Sequence, residues 1–124
     1  EFYHILDTIP NVSDALVTSR TINGQEVIIL FVQLSPPHTL TSDLIARIRH
    51  TCRVQGSPRH VPADIVAVTH IPVTKSNKKC ELAVKRILNG EQDGMNRSVL
   101  AHPDSLNEYE AYAKSTQSKG VLSC

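Results

Sequence analysis

Phe2, Ile5, Leu6 and Ile9 repeat at the spacing of one helix face, and Pro10 ends that segment because its ring blocks helix continuation. Residues 12–18 are rich in β-formers and predict a strand. The sequence Ile22-Asn23-Gly24-Gln25 predicts a tight hairpin turn, since its two central positions need positive φ. Residues 26–34 form the return strand, and the run 27–32 is apolar on both faces, which places it inside a sheet.

Ser35-Pro36-Pro37 then breaks the sheet. Thr39 or Thr41 can cap a helix over 42–54, with Leu44, Ile45, Ile48 and Cys52 as its buried stripe and Arg47, Arg49 and His50 on other faces. Gly56-Ser57-Pro58 ends that helix, a turn covers 59–62, and 64–68 reads as a short strand. Residues 71–79 are a polar loop with Lys75, Lys78 and Lys79. A helix over 80–88 follows, with Ala83, Val84, Ile87 and Leu88 on one side, and Asn89-Gly90 stops it as a left-handed cap would. A capping-box pattern at Ser105-Leu106-Asn107-Glu108 opens a short helix over 105–114. The fold class is therefore α+β: a small mixed sheet with a β-hairpin and packed helices, plus a C-terminal helical and disordered extension. The core domain is read as 1–90, with a linker at 91–104 and a polar, disordered tail at 115–124.

Composition narrows the function. The 124 residues suit one domain with a modest core, and 40% hydrophobic with 20% charged residues is ordinary globular usage. A net charge of +1, 4% aromatic residues and no Trp argue against nucleic-acid binding, which needs a basic face and stacking platforms. Cys52, Cys80 and Cys124 form neither a disulfide framework nor a zinc spacing, so a reducing, cytoplasmic setting is expected. The histidines form no i, i+4 pair, and no metal site is expected. No apolar run reaches the roughly 18–20 residues of a membrane span, and no signal peptide is visible. The opening at Glu1, directly inside a patterned segment, reads as a fragment or excised domain.

The lysine loop carries the clearest chemistry. A lysine on a loop between a strand and a helix can reach a ligand held elsewhere, and its ammonium suits phosphate and carboxylate oxygens. A solvated basic loop is the plainer alternative. The surrounding residues, Pro72, Thr74, Ser76, Asn77, Lys78 and Glu81, resemble the P-x-T-x-S-G-K signature near the end of adenylate-forming enzymes, with Asn77 in place of the usual Gly. Asn is the next most tolerated residue at positive φ. Glu1-Phe2-Tyr3 resembles the opening of that superfamily's C-terminal domain, and Gly24-Gln25-Glu26-Val27 with Phe31-Val32 resembles one of its strands. Ser57-Pro58-Arg59-His60-Val61-Pro62, Ile71-Pro72 and the run from Lys78 to Gly90 are similar to acetoacetyl-CoA synthetases in particular, as is the tail Leu100-Ala101-His102-Pro103-Asp104-Ser105-Leu106. The likeness covers roughly residues 1–112.

The resemblance implies the mobile C-terminal domain (1–90) of an acid–CoA ligase that adenylates acetoacetate with ATP and passes the acyl group to coenzyme A. ATP, with Mg, would be held mainly by a large N-terminal adenylation domain, the expected partner. Lys78 then corresponds to the family's catalytic lysine, with Lys75 and Lys79 as rivals that are solvated or steer phosphate. Arg53 resembles an arginine near the coenzyme's phosphates, with a helix-end role favoured by the macrodipole as the alternative. Arg59 and Lys75 are further candidates for cofactor binding. The Lys78 motif also resembles a site of regulatory lysine acetylation, which implies acetylating and deacetylating enzymes as partners. Alone, the chain is expected to be inactive. Three other readings stand beside this one: the same superfamily acting on acetate or propionate, a free-standing module whose lysines contact the phosphates of RNA or a nucleotide, or a catalytically dead homologue, for which Asn77 is the only support.

Overall fold

A computed structural model of the protein describes residues 2–118, and the chain divides into two compact units. The first contains the chain up to Val17 together with Ile28–Ile71; the second contains Thr18–Val27 and the chain from Pro72 onward.

Strands β1 (Val12–Ile22), β2 (Gln25–Leu34) and β3 (Asp64–Ala67) form one sheet in the order β1-β2-β3. β1 and β2 are joined by the two-residue turn Asn23-Gly24, with φ of 52° and 79°, the left-handed values that favour this residue pair. β2 and β3 run parallel, with Ile29 opposite Asp64 and Val32 opposite Ala67. The sheet is therefore mixed, and β2 is central, as its apolar run implied. Leu30, Phe31 and Val32 are all fully buried because a central strand covers both of its faces.

In the first unit, helices α1 (Phe2–Leu6) and α2 (Ser42–Gln55) pack together. Ile5, Leu6, Ile9, Leu44, Ile48 and Cys52 join Leu30, Val32 and Ile65 in its core. The stripe predicts a helix as far as Ile9, but α1 ends at Leu6. Ile9 reaches the core through a turn in which its N–H donates to the Leu6 carbonyl. Thr41 caps α2, its hydroxyl accepting the Leu44 N–H at 3.1 Å. Gly56 follows α2 where a Cβ would lie 2.7 Å from both the Cys52 carbonyl oxygen and the His60 ring. The 3-10 turn Pro58–His60 is closed by Ser57, whose Oγ accepts the Arg59 N–H and pairs with His60 Nδ1 at 2.9 Å.

The second unit contains the tip of the β1–β2 hairpin, α3 (Glu81–Leu88) and α4 (Asn107–Ser118), and α3 packs on α4. Arg20 of β1 is only 9% exposed. Its guanidinium donates to the Ala113 carbonyl at 3.3 Å and to the Thr116 hydroxyl. Asn89 ends α3 by donating to the Lys85 carbonyl at 2.7 Å, while its Oδ1 accepts the Thr21 N–H at 2.9 Å. Gly90 follows at φ 77°, the left-handed stop that Asn89-Gly90 predicts.

Residues 91–104, read as a linker, contain the 3-10 turn Arg97–Val99 and the fully buried Leu100. The capping box expected at Ser105 does not form. α4 starts two residues later, with the Tyr109 and Glu110 N–H groups donating to the Leu106 carbonyl. Ser105 Oγ is buried without a hydrogen-bond partner among the described residues. The short helix expected over 105–114 thus runs to Ser118. The rest of the expected tail, from 119 onward, lies outside the described residues, as do Glu1 and Cys124.

Candidate functional site

The lysine loop is a hairpin. Val73 stands antiparallel to Lys79, and the Cys80 N–H donates to the Pro72 carbonyl at 3.0 Å. The Asn77 N–H donates to the Thr74 carbonyl at 2.8 Å, and the Thr74 N–H to the Lys78 carbonyl at 2.9 Å. These two bonds enclose a three-residue loop that ends in a left-handed residue. That residue is Asn77, at φ 67°. The position therefore asks for Gly or Asn, which explains why Asn can stand where the resembling motif has Gly.

Two hydroxyls stiffen the turn. Thr74 Oγ1 accepts the Lys78 N–H at 3.1 Å and lies 2.9 Å from Ser76 Oγ. The hairpin is anchored at its base by Pro72, which is fully buried, and by Cys80, which is 5% exposed. Burial pushes the Cys80 thiol pKa up, so the thiol stays protonated at neutral pH and is no nucleophile.

Lys75 and Lys78 are exposed on this hairpin, and Lys79 is half-buried. Among the described residues, the ammonium groups of Lys75 and Lys78 enter no hydrogen bond or ion pair. An exposed, unpaired ammonium on a braced turn is available to an incoming phosphate or carboxylate, because no internal contact has to be broken first. These cations fit anionic oxygens. No group of three His, Cys, Asp or Glu side chains that could hold a metal ion occurs among the described residues. Among the described residues, no helix is long and apolar enough to cross a membrane.

Arg53 and Arg59 lie in the first unit, whereas Lys75 and Lys78 share one turn of the second. Arg53 is exposed in the last turn of α2, where the helix dipole also favours a cation. Arg59 is exposed on the 3-10 turn, positioned through its backbone N–H by Ser57. Sequence reading passed over the bracing role of Thr74 and the contribution of residues 99–101. The Lys75 N–H donates to the Val99 carbonyl, the Ala101 N–H donates to the Val73 carbonyl, both at 2.9 Å, and Thr74 stands antiparallel to Leu100. The Thr-x-Ser spacing was a usable signal for the hydroxyl brace; no local signal marks the pairing with 99–101.

No family model matches the chain. It is 39% identical over 111 residues to an acetoacetyl-CoA synthetase of Danio rerio, covering 89% of this chain and 16% of that protein. It is 38% identical over 114 residues to an acetoacetyl-CoA synthetase of Caenorhabditis elegans, covering 90% of this chain and 16% of that one. Among solved structures, acetoacetyl-CoA synthetase from Streptomyces lividans superposes with a TM-score of 0.81 at 35% identity, covering 92% of this chain and 17% of that chain. The chain thus spans about 16% of the length of the curated relatives it matches. In sequence and in fold this chain matches the acetoacetyl-CoA synthetase family, as a stretch with the architecture of the C-terminal domain of AMP-binding enzymes.

Proposed function

We propose that this chain is the lysine-bearing domain of an ATP-dependent acid–CoA ligase acting on acetoacetate, working with a large adenylation domain as its partner. The observation that carries the reading is the exposed, unpaired Lys78 ammonium on a hydrogen-bonded hairpin. In the first step a carboxylate oxygen attacks the α-phosphorus of ATP, and the bond to pyrophosphate breaks. Negative charge spreads over the transferring group, and a pre-placed ammonium stabilises that arrangement more than the ground state. Lys78 has this role, and Lys75 on the same turn steers phosphate. In the second step the thiol sulfur of coenzyme A attacks the acyl carbon, AMP leaves, and the thiol proton is released. Arg53 and Arg59, exposed on the first unit, are the candidates for the coenzyme's phosphates. ATP, with its Mg, is held mainly by the partner domain. The protein works in the cytoplasm, and acetylation of Lys78 by a modifying enzyme would abolish its charge and its activity.

The test is ATP- and coenzyme-A-dependent consumption of acetoacetate by the full-length protein, with and without Lys78→Ala. The variant should lose roughly 3–4 kcal/mol of transition-state stabilisation in adenylation, about a hundredfold to a thousandfold in rate. It should keep thioester formation from supplied acyl-adenylate. Normal adenylation by the variant would make Lys78 a bystander. Turnover of acetate or propionate in preference to acetoacetate would keep the reaction class and change the acid.

A further inference from the structure

We infer that residues 99–101 act as a third strand that positions Lys78, with Leu100 as the positioning residue; the inference rests on the proposed role of Lys78. Two backbone bonds tie this segment to the hairpin, one on each side of Thr74: Lys75 N–H to the Val99 carbonyl, and Ala101 N–H to the Val73 carbonyl, both at 2.9 Å. Between them Leu100 stands opposite Thr74 and is fully buried. Thr74 in turn holds Lys78 through both its backbone and its hydroxyl. The chain of contact therefore runs Leu100, Thr74, Lys78, entirely within the second unit.

A hairpin of this size is marginal by itself, and an added strand with a buried anchor lowers its freedom to deform. The stretch from 97 to 99 is set for this pairing. Asn96 Oδ1 accepts from the Ser98 N–H at 3.0 Å and from its hydroxyl at 2.9 Å, and the 3-10 turn Arg97–Val99 follows. Arg97 is tied to Asp93 at 3.2 Å and to Glu110 of α4 at 3.0 Å, so the approach to the strand is held at Arg97. Leu100, fully buried, acts only through the backbone. It fixes the backbone from which the Lys78 side chain extends, and a small displacement of a charge-stabilising group is costly in rate.

The experiment measures two half-reactions of the full-length protein: ATP–pyrophosphate exchange with acetoacetate, and thioester formation from supplied acyl-adenylate. It compares wild type, Leu100→Ala, Leu100→Met, Lys78→Ala and the Leu100→Ala/Lys78→Ala double variant. Leu100→Ala should lower the kcat of exchange about tenfold to a hundredfold, with KM for ATP within about twofold of wild type. Thioester formation should persist, Leu100→Met should recover most of the loss, and Leu100→Ala should add nothing once Lys78 is Ala. A merely structural role predicts the opposite: both half-reactions fall together, or the two losses add in full. Either result, or unchanged exchange in Leu100→Ala, overturns the inference. Leu100→Val, which trims one methylene, applies the same criteria if the alanine variant does not fold. If Lys78→Ala exchanges normally, the role of Lys78 fails and this inference with it; if only the Leu100 variants behave as wild type, the role of Lys78 stands and this inference alone fails.

Discussion

Thr74 and Lys78 are joined twice: the Thr74 N–H donates to the Lys78 carbonyl at 2.9 Å, and the Lys78 N–H donates to Thr74 Oγ1 at 3.1 Å. The second bond depends on one hydroxyl. Thr74→Val keeps the side-chain shape and removes the acceptor. Water can replace it at this exposed site, so the expected stability loss is below about 1 kcal/mol. Adenylation should nevertheless fall about tenfold because the turn loosens under Lys78. Thr74→Ser should retain most activity. Chemical denaturation and pyrophosphate exchange on the same samples separate the two effects.

Asn77 lies at φ 67°, so its substitutions rank by backbone strain. Asn77→Gly should leave the unfolding midpoint equal or slightly higher. Asn77→Val, β-branched in a left-handed conformation, should cost about 1–2 kcal/mol. Urea melts of the three proteins check the order.

Gly56 is fixed by close approach. Its absent Cβ would sit 2.7 Å from the Cys52 carbonyl oxygen, which ends α2, and 2.7 Å from the His60 ring. That ring is held by Ser57 at 2.9 Å and by the tilted Phe2 ring at 5.7 Å. Gly56→Ala should therefore destabilise the fold by about 1–3 kcal/mol, read as a lower melting temperature.

Glu26 gives a pH dependence. The Ser19 hydroxyl at 2.7 Å, and then the Lys85 ammonium at 3.4 Å, hold its carboxyl below the usual glutamate value. A depressed folded-state pKa means that the folded state binds the proton less readily than the unfolded chain. The stabilisation is complete above the ordinary carboxylate range and is lost as pH falls through the lowered value. Wild type should exceed Glu26→Gln in stability at neutral pH, and the gap should close on acidification. Melting curves against pH measure it, and adding salt should shrink it at neutral pH, since the pair is exposed.

Much of the fold was legible because its determinants are local. Asn23-Gly24 specifies its turn by backbone preference alone, and the double-faced run ending at Val32 identified the central strand from burial. Lys78 stands out in the sequence through the residues around it. Leu100 does not, because a single bridge to Thr74, 26 positions earlier, leaves no periodicity in a segment rich in polar residues and turns. Ser105 misled for a related reason. A Ser-x-x-Glu pattern is a local offer to cap, but here the hydroxyl is buried and the Leu106 carbonyl starts the helix instead. Arg20 lies beyond the strand predicted over 12–18, and only the distant Ala113 carbonyl and Thr116 hydroxyl show why it is buried.

That last contact bears on how the polypeptide is made. During synthesis Arg20 emerges before its partner carbonyl at Ala113, which follows 93 residues later. Until then the guanidinium has no carbonyl to meet and must remain hydrated. The second unit can therefore close only after almost the whole described chain has left the ribosome, as for any structure dominated by distant pairings. A message truncated before α4 would yield a product whose hairpin tip retains a cation with its lasting partner missing. Such a product should be a preferred substrate for cellular proteases, a form of quality control written into one arginine.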